Sequence, residues 1–482
     1  MSFITRQLTK AAQGNQQKPS DITGVNTEIT RLTAFQQLNS ARYPFLLASS
    51  ADKENNTQYD ILPACPQFQL TLHADHSLTC SDKSIQLENG FFETLERLYQ
   101  ENKIALTSPE QIPSFTPPFI GGWFVYLAYE MAQIIEPSIE LPPLPDDQPL
   151  AIAVRCPAAI IFDKTSNSCI ALAEQKFEHL LDAMEEDFKI ITSRQTEDDS
   201  EHKIALCALS EAEPQPYLQQ VEKIKQYIVD GDIFQANLSR LWQARLADDV
   251  SDSVLFSALC AHNPSSFAAM ACLDSMSIIS SSPERLVSLR NNIIETRPIA
   301  GTRPRDKNKH SDDSLASELM AHPKEQAEHI MLIDLERNDL GRVCRPGTIE
   351  VNELMVLESW QHVHHIVSNV RGEIQIDKSP IDVLKAVFPG GTITGCPKVR
   401  CMEILAELEQ QPRGAYTGSL GYINNDGSMD FNILIRTLVR NGKQLSFRAG
   451  GGIVNDSIAA NELEETRAKA KGLLRMFSLH EN

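Results

Sequence analysis

The stretch YTGSLGYINNDGSMDFNILIRTLVRNGKQLSFRAGGGIV, residues 416–454, decides the fold class. It contains three β-type runs separated by two turn-forming segments: Tyr416–Ile423, Asp430–Arg440 and Gln444–Val454, with Asn424-Asn425-Asp426-Gly427 and Asn441-Gly442 between them. Asn-Gly and Asp-Gly pairs between alternating apolar runs favour tight hairpins. The stretch therefore predicts an antiparallel meander.

More strand-like runs lie toward the amino end, at Phe45–Ser49, Tyr59–Leu62, Phe68–Leu72, Ala151–Val154 and Ala158–Phe162. Helical patterns cover Pro216–Val229 and Val399–Leu408. Strands in runs joined by hairpins, with helices between them, favour an α+β fold of layered antiparallel sheets over a parallel βαβ fold.

Composition divides the chain into four parts. Residues 1–28 are polar and predict a loose tail, and residues 29–184 form an amino-terminal region rich in short strands. Residues 185–215 are acidic and polar and predict a surface linker. Residues 216–482 form the region that carries the chemistry.

The overall charge and the cysteines exclude several classes of protein. A net charge of −20 over 482 residues argues against a nucleic-acid partner or an anionic-membrane surface. The ten cysteines show no CxxC pair or zinc-type spacing, so they are interpreted as reduced thiols. No signal-peptide pattern or membrane-length apolar run is present, and we expect a cytoplasmic protein.

Four glutamates form two pairs with i,i+3 spacing, Glu325 with Glu328 and Glu462 with Glu465. Both pairs lie in helical patterns, the first beginning at Pro323, so each pair presents its carboxylates on one face. Two acidic faces brought together would repel each other without a cation, and an all-oxygen site with room for water suits Mg²⁺. The alternative is two ordinary solvated helix faces.

Other polar features lie in apolar surroundings. Gly450, Gly451 and Gly452 would let a ligand approach the backbone, and the loop 388–398 could present amides and hydroxyls. Arg436 interrupts the apolar middle strand of the predicted meander and would need an anion if buried. Lys469 lies one turn after Glu465, and His365 lies in a strand-like stretch. Each feature also has a purely structural interpretation. The glycines could form a strand bend, 388–398 a loop that leads into a helix, and Arg436 a salt bridge. Lys469 could form an i,i+4 ion pair with Glu465, and His365 could be a core histidine.

Together these motifs resemble one family, the chorismate-utilising enzymes, which include the first components of anthranilate synthase and aminodeoxychorismate synthase and the isochorismate and salicylate synthases. The resemblance rests on ETRPIAGT (295–302), AEHIMLIDLERNDL (327–340), the 388–402 loop and the region from Arg436 to Lys469. It is dense over 215–478 and looser over 40–165. It implies a two-subdomain sandwich of large antiparallel sheets flanked by helices, with the active site in the cleft between them.

The resemblance also implies roles for single residues. Glu328 and Glu465 would be direct Mg²⁺ ligands, and Glu325 and Glu462 would hold metal-bound waters. Lys469 would support the ring carboxylate of chorismate. The enolpyruvyl carboxylate would be held in a pocket formed by Tyr416, Arg436, Gly450, Gly451 and Gly452.

The remaining implied roles concern the reacting ring. His365 and Thr392 fall on active-site positions close to the ring. Glu284 occupies the position proposed to protonate the departing C4 hydroxyl, a general-acid task that needs a raised pKa. Ala300 stands where members that attack with water carry a lysine base, so the alanine favours attack by ammonia. Many aminodeoxychorismate synthases also have lysine there, as a nucleophile.

Within this family, the segments around Tyr59–Leu62 and 391–400 resemble the aminodeoxychorismate branch, which favours formation of 4-amino-4-deoxychorismate for 4-aminobenzoate and folate synthesis. The alternatives are anthranilate synthase component I and a non-catalytic partner that binds chorismate or tryptophan. No Gly-x-Cys-x-Gly elbow is present, so ammonia would come from a separate glutamine amidotransferase subunit. Ser49, Pro264 and Ser265 fall where relatives bind tryptophan.

Overall fold

The structure is a computed structural model that describes residues 3–8, 24–50, 59–104, 117–193, 203–306, 308–360 and 363–479. Its strands, in chain order, are β1 (Phe3–Gln7), β2 (Phe45–Ala48), β3 (Tyr59–Ala64), β4 (Gln69–Leu72), β5 (Leu78–Cys80), β6 (Gly122–Leu127), β7 (Ala151–Cys156), β8 (Ala158–Asp163), β9 (Ser168–Glu174), β10 (Ile204–Glu211), β11 (Gln235–Leu246), β12 (Phe267–Cys272), β13 (Ser277–Ser282), β14 (Arg285–Arg290), β15 (Ile293–Thr296), β16 (Ile299–Pro304), β17 (Glu350–Ser359), β18 (Val363–Glu373), β19 (Gly395–Cys396), β20 (Ser419–Asn424), β21 (Met429–Asn432), β22 (Thr437–Asn441), β23 (Gln444–Ile453) and β24 (Phe477–Leu479).

The α-helices are α1 (Gly24–Leu38), α2 (Phe91–Asn102), α3 (Ala132–Ile135), α4 (Leu180–Ser193), α5 (Pro214–Val229), α6 (Asp252–His262), α7 (Lys309–Ala321), α8 (Pro323–Gly341), α9 (Pro380–Val387), α10 (Lys398–Glu409) and α11 (Ala459–Leu474).

The strands form two large sheets. The first has the order β1-β9-β8-β3-β2-β12-β13-β22-β23-β11-β10-β24, with β19 also paired to β11. The second has the order β16-β18-β15-β14-β21-β20-β6-β7-β4-β5, with β17 also paired to β18. Neighbouring strands are antiparallel, except that β10 and β24 run parallel. The predicted α+β fold of layered antiparallel sheets is confirmed.

Apolar side chains hold the two sheets together. Phe45 of the first sheet stacks on Phe124 of the second, with ring centroids 3.8 Å apart and planes inclined by 6°. Both rings are almost fully buried. A second apolar cluster covers the other face of the first sheet, where Trp242 stacks on Phe447. Burial of such large apolar surfaces is the main stabilising contribution to a layered fold.

The two glutamate helices belong to different layers. Helix α8 contacts β16 and β18 of the second sheet, whereas α11 contacts β23 of the first. Helix α8 begins at Pro323, and the His322 imidazole accepts a hydrogen bond from the backbone N–H of Glu325. Both predicted helices are therefore present, and their acidic faces come from opposite sides of the sandwich.

The predicted meander requires a correction. Strands β20 and β21 pair in the second sheet, whereas β22 and β23 pair in the first. The run predicted as the middle strand is therefore divided, and the chain crosses between the sheets over 433–436. Ile433 and Leu434 are buried in this crossing, so the apolar pattern continues through it. Arg436 consequently lies between strands, not on the middle strand.

Each of the four predicted sequence regions contributes at least one strand to the sheets. Residues 1–28 include β1, which pairs with β9. Residues 185–215 include the end of α4 and strand β10, and residues 194–202 lie outside the described part of the chain. Both sheets contain strands from 29–184 and from 216–482. The four-part division stays a prediction about sequence, since the sheets do not follow its boundaries.

Two absences apply to the described residues only. Among the described residues, no disulfide links any of the ten cysteines. A helix with the length and apolarity required to cross a membrane does not occur among the described helices.

Candidate active site between the two layers

A cavity of about 450 Å³ separates the second sheet from helix α11. One wall comes from β16 and β18, including Thr302 and His365. The opposite wall comes from α11 and includes Glu465 and Lys469, while Arg436 enters from the crossing segment. Four of the catalytic, metal-ligand and substrate-binding residues implied by the family resemblance therefore line this cavity: His365, Arg436, Glu465 and Lys469. Glu284 and Thr392 contact each other next to Arg436.

Glu284 is a buried acid beside this cavity. It is 7 % exposed, and the Thr392 hydroxyl donates to its Oε1 over 2.7 Å. Burial raises the pKa of Glu284 to about 7, while the Thr392 hydrogen bond and the charges of Arg436 and Lys469 oppose the rise. A carboxyl group of this kind is protonated in a large fraction of molecules near neutral pH. It is suited to donate a proton.

Arg436 brings a positive charge to the same place. Its backbone is left-handed, with φ at 50°, and its carbonyl accepts a hydrogen bond from the Ser281 N–H. Burial lowers the pKa of the guanidinium, and the Glu284 carboxyl counteracts this. Within the described part of the chain, no carboxylate forms an ion pair with Arg436. A partly buried guanidinium without a carboxylate partner is a binding point for an anion.

His365 is held as a neutral imidazole. Burial lowers its pKa to about 4. Its Nδ1 lies 3.2 Å from the Gly301 carbonyl oxygen and 3.0 Å from the Thr302 hydroxyl. A carbonyl can only accept, so Nδ1 carries the hydrogen and Nε2 keeps a free lone pair. Ala300, on β16, is nearly buried and faces β18 opposite Ile366.

The two glutamate pairs influence each other across the two layers through Glu328 on α8 and Glu465 on α11. Burial raises the pKa of Glu328, the hydrogen bond from Gln235 opposes this, and the carboxylates of Glu325 and Glu465 add to it. Burial likewise raises the pKa of Glu462, and the Glu465 carboxylate adds to that rise. Like-charged groups on α8 and α11 therefore affect one another, as carboxylates that share a cation would.

The donor set suits a hard cation that keeps part of its water. No group of three or more His, Cys, Asp or Glu side chains in the described ranges forms a ready-made ligand set. Magnesium typically takes one or two protein carboxylates together with water and substrate oxygens. Beside Glu328, the buried Oε1 of Gln235 lacks a hydrogen-bond partner among the described residues, as a position next to a bound water would. The residues present therefore fit Mg²⁺.

The glycine strand and Tyr416 form the floor of the site. Lys469 Nζ donates to the Gly450 carbonyl over 2.9 Å and pairs with Glu465 Oε1 at 2.8 Å. A Cβ atom at Gly450 would lie 2.8 Å from the Tyr416 hydroxyl and 2.4 Å from the Leu238 carbonyl oxygen. Glycine is thus required for the phenol to reach the strand. Gly451 faces Glu465, and Gly452 faces Gln235.

A buried ion network lies behind Tyr416. Arg413 and Arg448 both contact the Glu409 carboxylate, and all three side chains are nearly fully buried. The Arg413 guanidinium also lies 5.7 Å from the centroid of the Tyr416 ring. Burial raises the pKa of Tyr416 to about 12, so the phenol keeps its proton and acts as a donor.

Sequence reasoning missed the polar face of β11. Gln235 donates to Glu328 over 2.8 Å, and Asn237 donates to the Thr392 carbonyl over 3.1 Å. Ser239 donates to Glu409 over 2.8 Å. These residues alternate with apolar ones in QANLS, 235–239, and alternation places them on one face of the strand. This alternation of polar and apolar residues was the sequence signal that could have identified the polar face of β11.

The positions implied for tryptophan divide between two cavities. Ser49 lines a second cavity of about 320 Å³ between the sheets, whereas Pro264 and Ser265 line the first. Ser266 lines both. The Ser50 and Ser265 backbones are joined by an N–H to carbonyl hydrogen bond of 2.8 Å. The three positions are therefore neighbours, but they do not face one common cavity.

Comparison with known proteins gives the family. A family model described as chorismate binding enzyme matches residues 43–475. The chain is 43% identical to the "Anthranilate synthase component I-like protein" of Synechocystis sp. over 74% of this chain and 73% of that one. It is 40% identical to "Aminodeoxychorismate synthase component 1" of Bacillus subtilis, over 76% and 78%.

A solved structure agrees with the fold. Anthranilate synthase component I from Streptococcus pneumoniae TIGR4 is 29% identical and superposes with a TM-score of 0.76, covering 88% of this chain and 94% of that one. Sequence motifs, sheet topology and the matched relatives all lead to the same assignment. The chain belongs to the chorismate-binding enzyme family and is a chorismate-utilising enzyme.

Proposed function

We propose that the chain catalyses the Mg²⁺-dependent amination of chorismate by ammonia to 4-amino-4-deoxychorismate, for the synthesis of 4-aminobenzoate and folate. The observation that carries the amination is the buried Glu284–Thr392 pair beside Arg436, next to the cavity, because a buried acid there can protonate a departing hydroxyl.

Chorismate carries two carboxylates, and the cavity offers two places that suit an anion. Arg436 and the Tyr416 phenol would hold the enolpyruvyl carboxylate above Gly450, because the guanidinium has no carboxylate of its own in the described chain and the phenol is a donor. Lys469 would lie at the ring carboxylate end. These contacts fix the ring in one orientation.

Mg²⁺, when held by Glu328 and Glu465 with water on Glu325 and Glu462, would supply positive charge to the ring carboxylate. Neighbouring side chains already orient both of the proposed direct ligands. Gln235 donates to Glu328, and Lys469 donates to Glu465, so each proposed ligand is already oriented by a neighbour.

The departing C4 hydroxyl needs a proton. Glu284 would give that proton, so the C4–O bond breaks and the hydroxyl leaves as water. Ammonia supplies the new C–N bond and loses one proton, so chorismate and ammonia give 4-amino-4-deoxychorismate and water. Ammonia is a competent nucleophile without a base, which is consistent with alanine at position 300.

The ammonia would come from a separate glutamine amidotransferase subunit. Relatives named "component 1" imply a second component. The described side chains around the cavity include no cysteine, so the cavity itself offers no thiol for glutamine hydrolysis.

Anthranilate synthase activity, which gives anthranilate and pyruvate, is the second candidate. The specific observation in its favour is again Ala300, because many aminodeoxychorismate synthases use a lysine at that position. The B. subtilis relative and the segment 391–400 favour the first candidate. A non-catalytic binder is less favoured, since it would need neither the buried acid nor the four carboxylates.

A product assay separates these candidates. The purified chain is incubated with chorismate, Mg²⁺ and an ammonium salt at mildly alkaline pH, with and without aminodeoxychorismate lyase. We expect 4-aminobenzoate only when the lyase is present. Fluorescent anthranilate and pyruvate without lyase would replace the proposal with the second candidate, and Mg²⁺-independent binding without turnover would favour the binder.

A further inference from the structure

We propose that Gln235 is a positioning residue for the metal site, which orients Glu328 and accepts a hydrogen bond from a metal-bound water through its amide oxygen. The inference rests on the proposed function, because it assumes that Glu328 is a metal ligand. It assigns a role to a residue outside the glutamate set.

The backbone of Gln235 is fixed from two sides. Gln235 begins β11 and pairs with Cys396 of β19, and the Cys401 thiol donates to its carbonyl oxygen over 3.1 Å. The residue is 3 % exposed. A glutamine with a fixed backbone and no access to solvent has few rotamers left, so its amide has one direction.

The nitrogen and the oxygen of the Gln235 amide differ in their hydrogen bonding. The Nε2 group donates to Glu328 Oε1 over 2.8 Å. The Oε1 atom is buried and has no hydrogen-bond partner among the residues that the structure describes. A buried amide oxygen is rarely left unpaired, and it needs a donor. Carboxylates cannot donate when ionised, so the neighbouring glutamates do not supply one, whereas a water bound to a cation can.

Gly452 makes room for this amide. In the antiparallel pair of β11 and β23, Gly452 lies opposite Asn237, two residues from Gln235. A Cβ atom on Gly452 would lie 2.2 Å from Gln235 Nε2. The amide is the terminal group of its side chain, so alanine at 452 would displace the amide with little change in the backbone. The displaced amide could no longer reach Glu328.

The contrasting role for Gln235 is simple space-filling under the glycine strand. In that case an apolar side chain of similar size would serve equally well, and the affinity for metal would not change. Positioning residues around metal ligands typically alter metal affinity by about tenfold to a hundredfold when removed. The two roles therefore differ in a binding measurement that does not involve turnover.

The test is Mn²⁺ binding to the full chain without substrate, followed by electron paramagnetic resonance, with Mg²⁺ as competitor. The variants are Gln235→Met, Gln235→Ala, Gly452→Ala and the Gln235→Ala/Gly452→Ala double variant. Gln243→Met, an exposed glutamine on the same strand, is the matched control. Thermal unfolding is measured for each variant, and Gly452→Ala tests the same contact without changing Gln235.

We expect about tenfold weaker Mn²⁺ binding for Gln235→Met and Gly452→Ala, and no change for the control. The double variant should bind as weakly as Gln235→Ala alone, because the displaced amide is already absent. Unchanged affinity of Gln235→Met and Gly452→Ala, while the wild type binds Mn²⁺ competitively with Mg²⁺, would overturn the inference alone. If the wild type bound neither metal, the proposed metal site and this inference would both fail.

Discussion

Replacing Thr392 by valine tests the assignment of Glu284 as the proton donor. The Thr392 hydroxyl donates to Glu284 Oε1 over 2.7 Å, and this bond favours the ionised carboxylate. A hydrogen bond to a charged group contributes about 1.5–3 kcal/mol. Since about 1.4 kcal/mol corresponds to one pH unit, the variant should raise the pKa of Glu284 by about one to two units above the wild-type value of about 7.

The assay is the pH dependence of kcat/KM for chorismate, which reports groups in the free enzyme. The concentration of unprotonated ammonia is held constant at each pH, because ammonium also titrates. A general acid acts only when protonated, so activity falls above its pKa. We therefore expect the alkaline limb to begin near pH 7 in the wild type and to move upward in Thr392→Val.

Thr392→Ser is the matched control, since it keeps the hydroxyl and should keep the wild-type limb. An alkaline limb that stays in place in Thr392→Val, or moves to lower pH, would rule out Glu284 as the group that titrates in this limb. Such a result would mean that the limb reports another group, and that Glu284 does not supply the proton.

Three further predictions follow from the site. Glu284→Gln should abolish product formation. A carboxyl whose folded pKa is raised to about 7 destabilises the wild type as the pH rises from its unfolded pKa to about 7. Because Glu284→Gln lacks this carboxyl, its unfolding free energy, measured by chemical denaturation, should gain on the order of 2–3 kcal/mol over the wild type between pH 5 and pH 8. Arg436→Met should weaken chorismate binding about tenfold to a hundredfold by calorimetry, with the exposed Arg345→Met as control, because one charge-assisted contact is lost. Gly450→Ala should raise KM and lower Tm, because its Cβ atom would meet the Tyr416 hydroxyl and the Leu238 carbonyl; unchanged values of both would contradict this packing.

Local sequence patterns were sufficient to predict one of the glutamate helices and the glycine strand. The i,i+3 spacing and Pro323 predicted α8, and the glycine run with its preceding Asn-Gly turn predicted β23. Helical and strand periods depend on neighbours within a few residues, so these elements could be read from the sequence.

The contacts between layers could not be predicted in the same way. The run Asp430–Arg440 stays apolar where it leaves one sheet and enters the other, because the crossing itself is buried. The left-handed backbone of Arg436 and the contact from Gln235 to Glu328 join residues far apart in sequence. Such contacts depend on which strands share a sheet, and periodicity carries no information about that.

The proposed reaction is the amination of chorismate without loss of the enolpyruvyl group. Its most direct measurement is mass spectrometry of the product formed by the purified chain from chorismate, Mg²⁺ and ¹⁵N-ammonium. We expect a product that carries one ¹⁵N in place of the C4 hydroxyl and keeps the enolpyruvyl chain. A ¹⁵N-labelled anthranilate together with free pyruvate, or a product without ¹⁵N, would contradict it.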